Sequence, residues 1–441
     1  MLVDMSQIVV WGLGYLGATH AVAMASLGHQ VVGVDIDERK TISLRGGKPE
    51  FYEPGLEGAI QRLVDKGDLT FNTSIERVQS PRVHFICVGT PQESANWKLD
   101  TSQLTGVCRS LGRVVGENDV VVGKSTVPIG TAATLRKILT EEAGFKVRLV
   151  WNPEFLREGS ALHDSLKPDR IVIGSWASDG VEELKQVYKQ ILDDGTPLLE
   201  TSIETAELVK VAANAFLATK ISFINAMAEI AEVSGADAVQ LAKAIGYDER
   251  IGRKFLRNGI GFGGGCLPKD IRGFVARAEE LGAGKAVSFL KDVDAINQRR
   301  RVRVLALAER ELGELKNKNV LMLGLSFKPD SDDMRDSPAL DIALRLAKAG
   351  AKVAVHDPVA LSALGDKHPE LIREQDLSAA AKNQELTILG TEWSEYKAIE
   401  PKAFGKLVAN KLIIDGRNVL DVAAWQAAGW RLIALGRNVH N

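Results

Sequence analysis

Near its N-terminus the chain sets Gly12-Leu13-Gly14-Tyr15-Leu16-Gly17 between two short apolar runs. The first is Ser6-Gln7-Ile8-Val9-Val10-Trp11; the second is Gln30-Val31-Val32-Gly33-Val34, ending in Asp35. A buried strand that breaks into GxGxxG and then a helix, expected over Ala18 to Leu27, returns as a parallel neighbouring strand. In such a unit Gly12 makes the tight turn, Gly14 admits a pyrophosphate and Gly17 lets helix and strand approach closely. Tyr15 and Leu16 fall at the helix N-terminus, which favours anionic phosphates. Asp35 stands where a carboxylate accepts hydrogen bonds from the adenosine ribose and would repel a 2′-phosphate. NAD is therefore expected over NADP, with Lys40 near enough to blur the preference.

The same grammar continues to about residue 200. Strands are expected at Val83–Val88, Val120–Val122, Leu149–Trp151 and Ile171–Ile173, alternating with helices, which implies a parallel sheet. Gly89-Thr90-Pro91 and Lys124-Ser125-Thr126-Val127-Pro128 follow strand ends, where ligands bind in such sheets. Residues 203 to 300 read as almost wholly helical, with long helices from Ile203 to Val233 and from Lys285 to Leu312. So apolar a block suits a dimer surface. Lys210 and Asn214, four apart, share a helix face; they are either functional or a snorkelling lysine with a solvated amide. From Lys318 the α/β pattern restarts, with strands at Asn319–Leu323, Ala351–Val355, Leu386–Leu389 and Leu412–Asp415 and a helix from Pro338 to Lys348. GxGxxG is missing there. Lys328, Arg335 and Arg417 suit a phosphate-bearing ligand instead. The expected fold is α/β: two doubly wound, Rossmann-like domains joined by a long-helix central region, bounded as 1–202, 203–312 and 313–441.

One cysteine is set apart. Gly261-Phe262-Gly263-Gly264-Gly265-Cys266-Leu267-Pro268-Lys269-Asp270 delivers Cys266 from a glycine run to a helix start, with Pro268 at the first helical position. A helix N-terminus and Lys269 both favour thiolate, the nucleophilic form. Asp270 lies one turn on and could handle protons or water. Cys87 and Cys108 read as core residues. Three cysteines and seven histidines without ligand spacing suggest neither a disulfide framework nor a metal site. A formal charge of −2 gives no field for nucleic acid or an anionic membrane. No apolar run of the roughly 18 residues needed to span a bilayer is apparent. With no basic-then-apolar leader, a cytoplasmic protein is expected, and Met5 is a second candidate start.

Together these motifs resemble the nucleotide-sugar dehydrogenase family that includes UDP-glucose and GDP-mannose 6-dehydrogenases. The resemblance covers nearly the whole chain. It rests on Gly12–Gly17, Tyr52-Glu53-Pro54-Gly55-Leu56, Val88–Pro91, Lys124–Thr131, Asn152–Gly159, Lys210 with Asn214, Gly261–Asp270, Gly324–Pro329, Asp332–Pro338 and Asp415-Gly416-Arg417. Arg250-Ile251-Gly252 and Phe327-Lys328-Pro329 look like the UDP-glucose branch, and Glu154–Glu158 argues against the N-acetylmannosamine branch. Two departures are the missing Asp-Gly turn in Glu93–Lys98 and Gly265 before the cysteine.

The resemblance implies a four-electron oxidation of a sugar CH2OH by NAD, with Cys266 as covalent nucleophile. Asp270 would activate water or relay protons, with Thr126 and Glu158 holding a water. Glu154 would act as acid or base in thioester hydrolysis, and Lys210 and Asn214 would stabilise oxyanions. Thr90, Thr126, Glu158, Lys269 and Arg335 would contact the cofactor. Glu154, Phe155, Leu156, Arg157, Lys210, Asn214, Phe262, Gly263, Phe327, Lys328 and Arg417 would contact UDP-glucose, with Arg250 reaching it across a homodimer. GDP-mannose or another nucleotide sugar is the alternative substrate. Outside the family stand a two-electron dehydrogenase of the 6-phosphogluconate or 3-hydroxyacid type, and an NAD-sensing or scaffold protein without turnover.

Overall fold

The computed structural model describes residues 7–76, 82–93 and 96–437. Met5, Ser6 and the Ser94-Ala95 part of the Glu93–Lys98 turn lie outside the described residues. The chain forms two compact units, one of Met1–Ala213 with Ala276–Gly282, the other of Asn214–Val275 with Ala283–Asn441.

The first unit is built on an eight-stranded sheet. Its strands are β1 (Gln7–Trp11), β2 (Gln30–Val34), β3 (Leu69–Asn72), β4 (Arg82–Ile86), β5 (Val120–Gly123), β6 (Arg148–Trp151), β7 (Ile171–Gly174) and β8 (Leu198–Thr201). They lie in the order β3-β2-β1-β4-β5-β6-β7-β8. The middle strands β4 and β5 are buried along their whole length, as strands covered on both faces are. Edge strand β3 alternates buried and exposed. From β3 to β6 every pairing is parallel. The expectation of a wholly parallel sheet fails at β7, which meets β6 antiparallel through Trp151 and Gly174. The connection between them holds only a six-residue helix, Ala161–Leu166, and devotes the rest to the Asn152–Gly159 segment. The crossover helix that returns a strand parallel is missing. The fingerprint helix spans Tyr15–Ser26, beginning before Ala18 because the last turn of the glycine motif is already helical.

The second unit carries a six-stranded parallel sheet: β9 (Asn319–Leu323), β10 (Lys352–His356), β11 (Leu371–Arg373), β12 (Leu386–Leu389), β13 (Leu412–Asp415) and β14 (Arg431–Ala434). Their order, β11-β10-β9-β12-β13-β14, repeats that of the first six strands. The likeness reaches single residues. Gly12 (φ +88°) donates its N–H to Val34 O at 2.8 Å, and Gly324 (φ +91°) donates to His356 O at 2.8 Å.

The block from 203 to 300 is not almost wholly helical. Helices Ile203–Ser234, Ala238–Ile245 and Leu267–Glu280 leave the stretch from Gly246 to Cys266 irregular. Seven glycines lie in that stretch, and Gly252, Phe255, Gly261 and Gly264 hold positive φ angles that no helix accommodates. The last long helix is Phe289–Leu312, preceded by a 3-10 turn, Gly284–Val287. By length and composition alone, Ile203–Ser234 could cross a membrane. Its polar groups are nevertheless tied into the fold: Ser222 Oγ donates to Val293 O at 2.7 Å and Asn225 Oδ1 accepts from Gly259 N at 2.8 Å.

Candidate active site

In the first unit the cofactor cradle is set by close approach. A Cβ on Gly17 would lie 1.7 Å from Gly12 O, so helix and loop could not come together with any other residue there. A Cβ on Gly14 would meet no atom within 4 Å. Gly14 also caps the helix without a side-chain bond, leaving first-turn N–H groups for an anion. Asp35 Oδ2 accepts from Leu13 N at 2.7 Å and Oδ1 from Asp37 N at 2.9 Å, which fixes the carboxylate beyond β2. Lys40 lies on the next helix, Glu38–Arg45, capped by Asp37. These residues fit a dinucleotide. The second unit has the same turn closed from within. Asp357, 3% exposed, accepts from Leu325 N at 2.7 Å and Ser326 N at 3.1 Å with one oxygen, and from Val359 N and Ala360 N with the other.

The first unit also holds part of the expected catalytic set. Lys210, 5% exposed, places Nζ 2.8 Å from Glu154 Oε1, and Glu154 Oε2 accepts from Leu156 N at 2.6 Å. The lysine is thus neither snorkelling nor solvated. Phe155 stacks beneath the Arg170 guanidinium, 3.7 Å from the ring centre, and Arg157 pairs with Asp164. Thr90 Oγ1 donates to Thr126 O at 2.7 Å, joining the turns after β4 and β5. Glu158 adjoins Gly159, whose N–H is 3.0 Å from the Tyr15 hydroxyl oxygen.

The second unit presents the cysteine. Cys266 is exposed, immediately before Leu267–Glu280, and its carbonyl accepts the first helical bond from Asp270 N at 2.8 Å. Leu267, not Pro268, is the first helical residue. Asp270, 1% exposed, accepts from Asn214 Nδ2 at 2.6 Å and pairs with Lys269 at 2.8 Å. The preceding loop is held by side chains. Asn225 takes Gly259 N, Arg300 Nε donates to Gly259 O, and Asn297 binds both Phe262 N at 2.7 Å and Phe262 O at 2.9 Å. Gly261, at φ +99°, is obligatory because a Cβ would fall 2.3 Å from Asn297 Oδ1. Gly263 is buried against the Asp336 backbone. Lys328 Nζ lies 5.5 Å from the Phe327 ring centre.

Three domain models of the UDP-glucose/GDP-mannose dehydrogenase family match this chain: the NAD binding domain over residues 6–192, the central domain over 204–299 and the UDP binding domain over 321–422. The chain belongs to the UDP-glucose/GDP-mannose dehydrogenase family. It is 38% identical over 442 residues to a UDP-glucose 6-dehydrogenase of Bacillus subtilis, covering 98% of this chain and 94% of that one. A UDP-glucose 6-dehydrogenase of Rhizobium meliloti is 37% identical, covering 98% and 99%. Among solved structures, a UDP-glucose dehydrogenase from the archaeon Pyrobaculum islandicum aligns with a TM-score of 0.88 at 37% identity, covering 99% of this chain and 98% of that one. The cofactor of the family is NAD, and its NAD binding domain model spans the stretch that includes Gly12–Gly17.

Within this family member, three residues take positions that sequence spacing did not foretell. Arg417 spreads its guanidinium over backbone carbonyls, with Nε to Gly390 O at 2.6 Å, Nη1 to Gly261 O at 3.2 Å and Nη2 to Phe327 O at 3.1 Å. Arg250 pairs with Asp248 at 2.6 Å, its side chain 89% exposed. Arg335 chelates Asp333, which also accepts from Gly265 N at 3.2 Å, and a Cβ on Gly265 would lie 2.3 Å from Arg335 Cζ. The sequence reading gives Lys124 only as part of the Lys124–Pro128 turn, with no role of its own, and does not single out Asn297. Lys124 is buried and donates to Asn152 Oδ1 at 2.9 Å and Tyr188 Oη at 3.3 Å, bracing the base of the Asn152–Gly159 segment. Among the described residues, no group of three or more His, Cys, Asp or Glu is placed to hold a metal ion.

Proposed function

We propose that this family member oxidises the C6 alcohol of UDP-glucose to the carboxylate, giving UDP-glucuronate, and works as a cytoplasmic homodimer. The observation that carries the reading is Cys266: exposed, at a helix start, on a loop whose backbone is gripped by Asn225, Asn297, Arg300 and Arg417. An enzyme that stopped at an aldehyde would need no such nucleophile. Similarity to UDP-glucose 6-dehydrogenases over almost the full chain, and the Phe327-Lys328-Pro329 run, favour glucose as the sugar.

Bound NAD supplies the hydride acceptor for each of two oxidations. In the first the C6 alcohol loses a hydride and a proton and becomes an aldehyde. Cys266 Sγ adds to that carbon, and protonation of its oxygen gives a thiohemiacetal, which keeps the aldehyde on the chain. Loss of a second hydride and the hydroxyl proton leaves a thioester. Water adds to the thioester carbonyl, the C–S bond breaks, and carboxylate and thiolate separate. Lys210 and Asn214 donate to the C6 oxygen as negative charge develops. Asp270 accepts protons from the thiol or from water, with Thr126 and Glu158 orienting that water and Glu154 acting as acid or base in the hydrolysis. Lys328 meets the diphosphate as a point charge. Arg417 supports the sugar pocket through the three carbonyls it ties together, and Arg250 contacts the sugar of the partner subunit.

The test is NADH formed per UDP-glucose consumed with NAD in excess. A ratio near two is expected for the wild type, because the thioester route is a four-electron oxidation. Cys266→Ser should form no acid while still binding NAD. A ratio near one would mean a released aldehyde, and no NADH from UDP-glucose but turnover of GDP-mannose would reassign the substrate.

A further inference from the structure

Tyr52-Glu53-Pro54-Gly55-Leu56 has no part in the chemistry above, yet it sends a carboxylate into the first unit. Glu53 is 6% exposed. Its Oε2 accepts from the Tyr15 hydroxyl and from Gly159 N at 2.7 Å; its Oε1 accepts from Ala161 N at 2.7 Å and Leu162 N at 3.4 Å. Tyr15 opens the fingerprint helix, and Gly159 directly follows Glu158. A single carboxylate therefore touches both the dinucleotide turn and the segment that carries Glu154 and Glu158.

We propose that Glu53 is a positioning residue that locks the Glu158–Gly159 turn to the dinucleotide loop through Tyr15, holding that segment in its working geometry. The inference rests on the reading that Glu154 and Glu158 serve the oxidation. The chemistry of the donors supports it. A carboxylate only accepts, so every partner must be a donor, and each of these is. A glutamine cannot replace it, because either orientation sets its NH2 against a backbone N–H, that of Gly159 on one side or Ala161 on the other. Burial, with Glu53 beside it, pushes the Tyr15 hydroxyl well above its ordinary pKa, so it remains a donor at working pH.

The experiment compares the full-length wild type with Glu53→Gln, Tyr15→Phe and the double variant. It measures kcat, KM for NAD and for sugar, and NAD affinity by fluorescence titration. Turnover is followed on whichever nucleotide sugar the wild type oxidises, so a wrong substrate and a wrong role for Glu53 give different results. Glu53→Gln should lower kcat about tenfold or more, with both KM values and NAD affinity within about threefold. Tyr15→Phe should lower kcat as well, and the double variant should fall no more than about twofold below Glu53→Gln, since both act through one carboxylate. A kcat within about twofold of wild type for either folded variant, or effects that multiply, overturns the proposal. If Glu53→Gln does not fold, Tyr15→Phe decides by the same criterion.

Discussion

Beyond the end of β5, the Lys124 ammonium is buried against the side chains of Asn152 and Tyr188, and burial brings its pKa down to about 8 although the Glu154 carboxylate opposes the shift. Below that pH the folded chain must keep the charge in its core. The unfolded lysine holds its proton up to about 10.5. Between these values the unfolded state binds more protons, so this group makes stability rise with pH, and a penalty on the order of 3 kcal/mol is fully present below pH 8. Lys124→Met should remove that dependence. Urea midpoints at about pH 7.5 and 9.5 should differ less in the variant than in the wild type, and equal differences would mean the lysine is not a buried cation. Asn297→Asp sets a carboxylate oxygen against Phe262 O and should destabilise by roughly 1–3 kcal/mol in urea unfolding. It should also slow alkylation of Cys266 by iodoacetamide. Cysteine and aspartate were legible because glycine, proline and lysine surround them in one short run. Asn297 was not. It stands before Gln298-Arg299-Arg300-Arg301, which looks like a solvated helix face, and only the fold reveals that Asn297 and Arg300 are wholly buried.

Elements with a local cause were easiest to read. Helix Pro338–Lys348 has proline in its first turn and Ser337 accepting from Leu340 N, and β9 is a short apolar run between polar turns. The strand reversal at β7 was hidden because nothing in Ile171–Ile173 encodes direction; the short helix before it does. Likewise only the glycines from Gly261 on were credited to a loop, although Phe255 at φ +62° and Gly252 extend the irregular path well upstream. The fingerprint turn is the element most open to a steric test. Gly17→Ala drives a methyl into Gly12 O, so helix and strand must part. NAD affinity should drop at least about tenfold by fluorescence titration, while an alanine at Gly14, which faces open space, should leave the protein's melting temperature unchanged within about 1–2 °C.

Across the whole molecule, Ile203–Ser234 shows two unlike faces. Ala218, Ile224, Ala228 and Ala231 are buried, whereas Phe216, Phe223 and Ile230 are exposed at heptad spacing. Such a stripe matches the contact expected of a homodimer. Phe216→Glu with Phe223→Glu should halve the mass found by light scattering if that face joins two copies; an unchanged mass would place the contact elsewhere. The two sheets repeat one strand order, but only the first leaves its acid, Asp35, at the rim, while Asp357 is consumed by its own loop. Equilibrium dialysis should therefore find one NAD per chain, and Asp35→Ala should remove it. On the proposed four-electron route, a single berth for two successive electron pairs imposes an order in time. On that route the reduced carrier departs and a fresh one arrives while the half-finished carbon stays moored at Cys266, so the proposed adduct has to outlive the exchange.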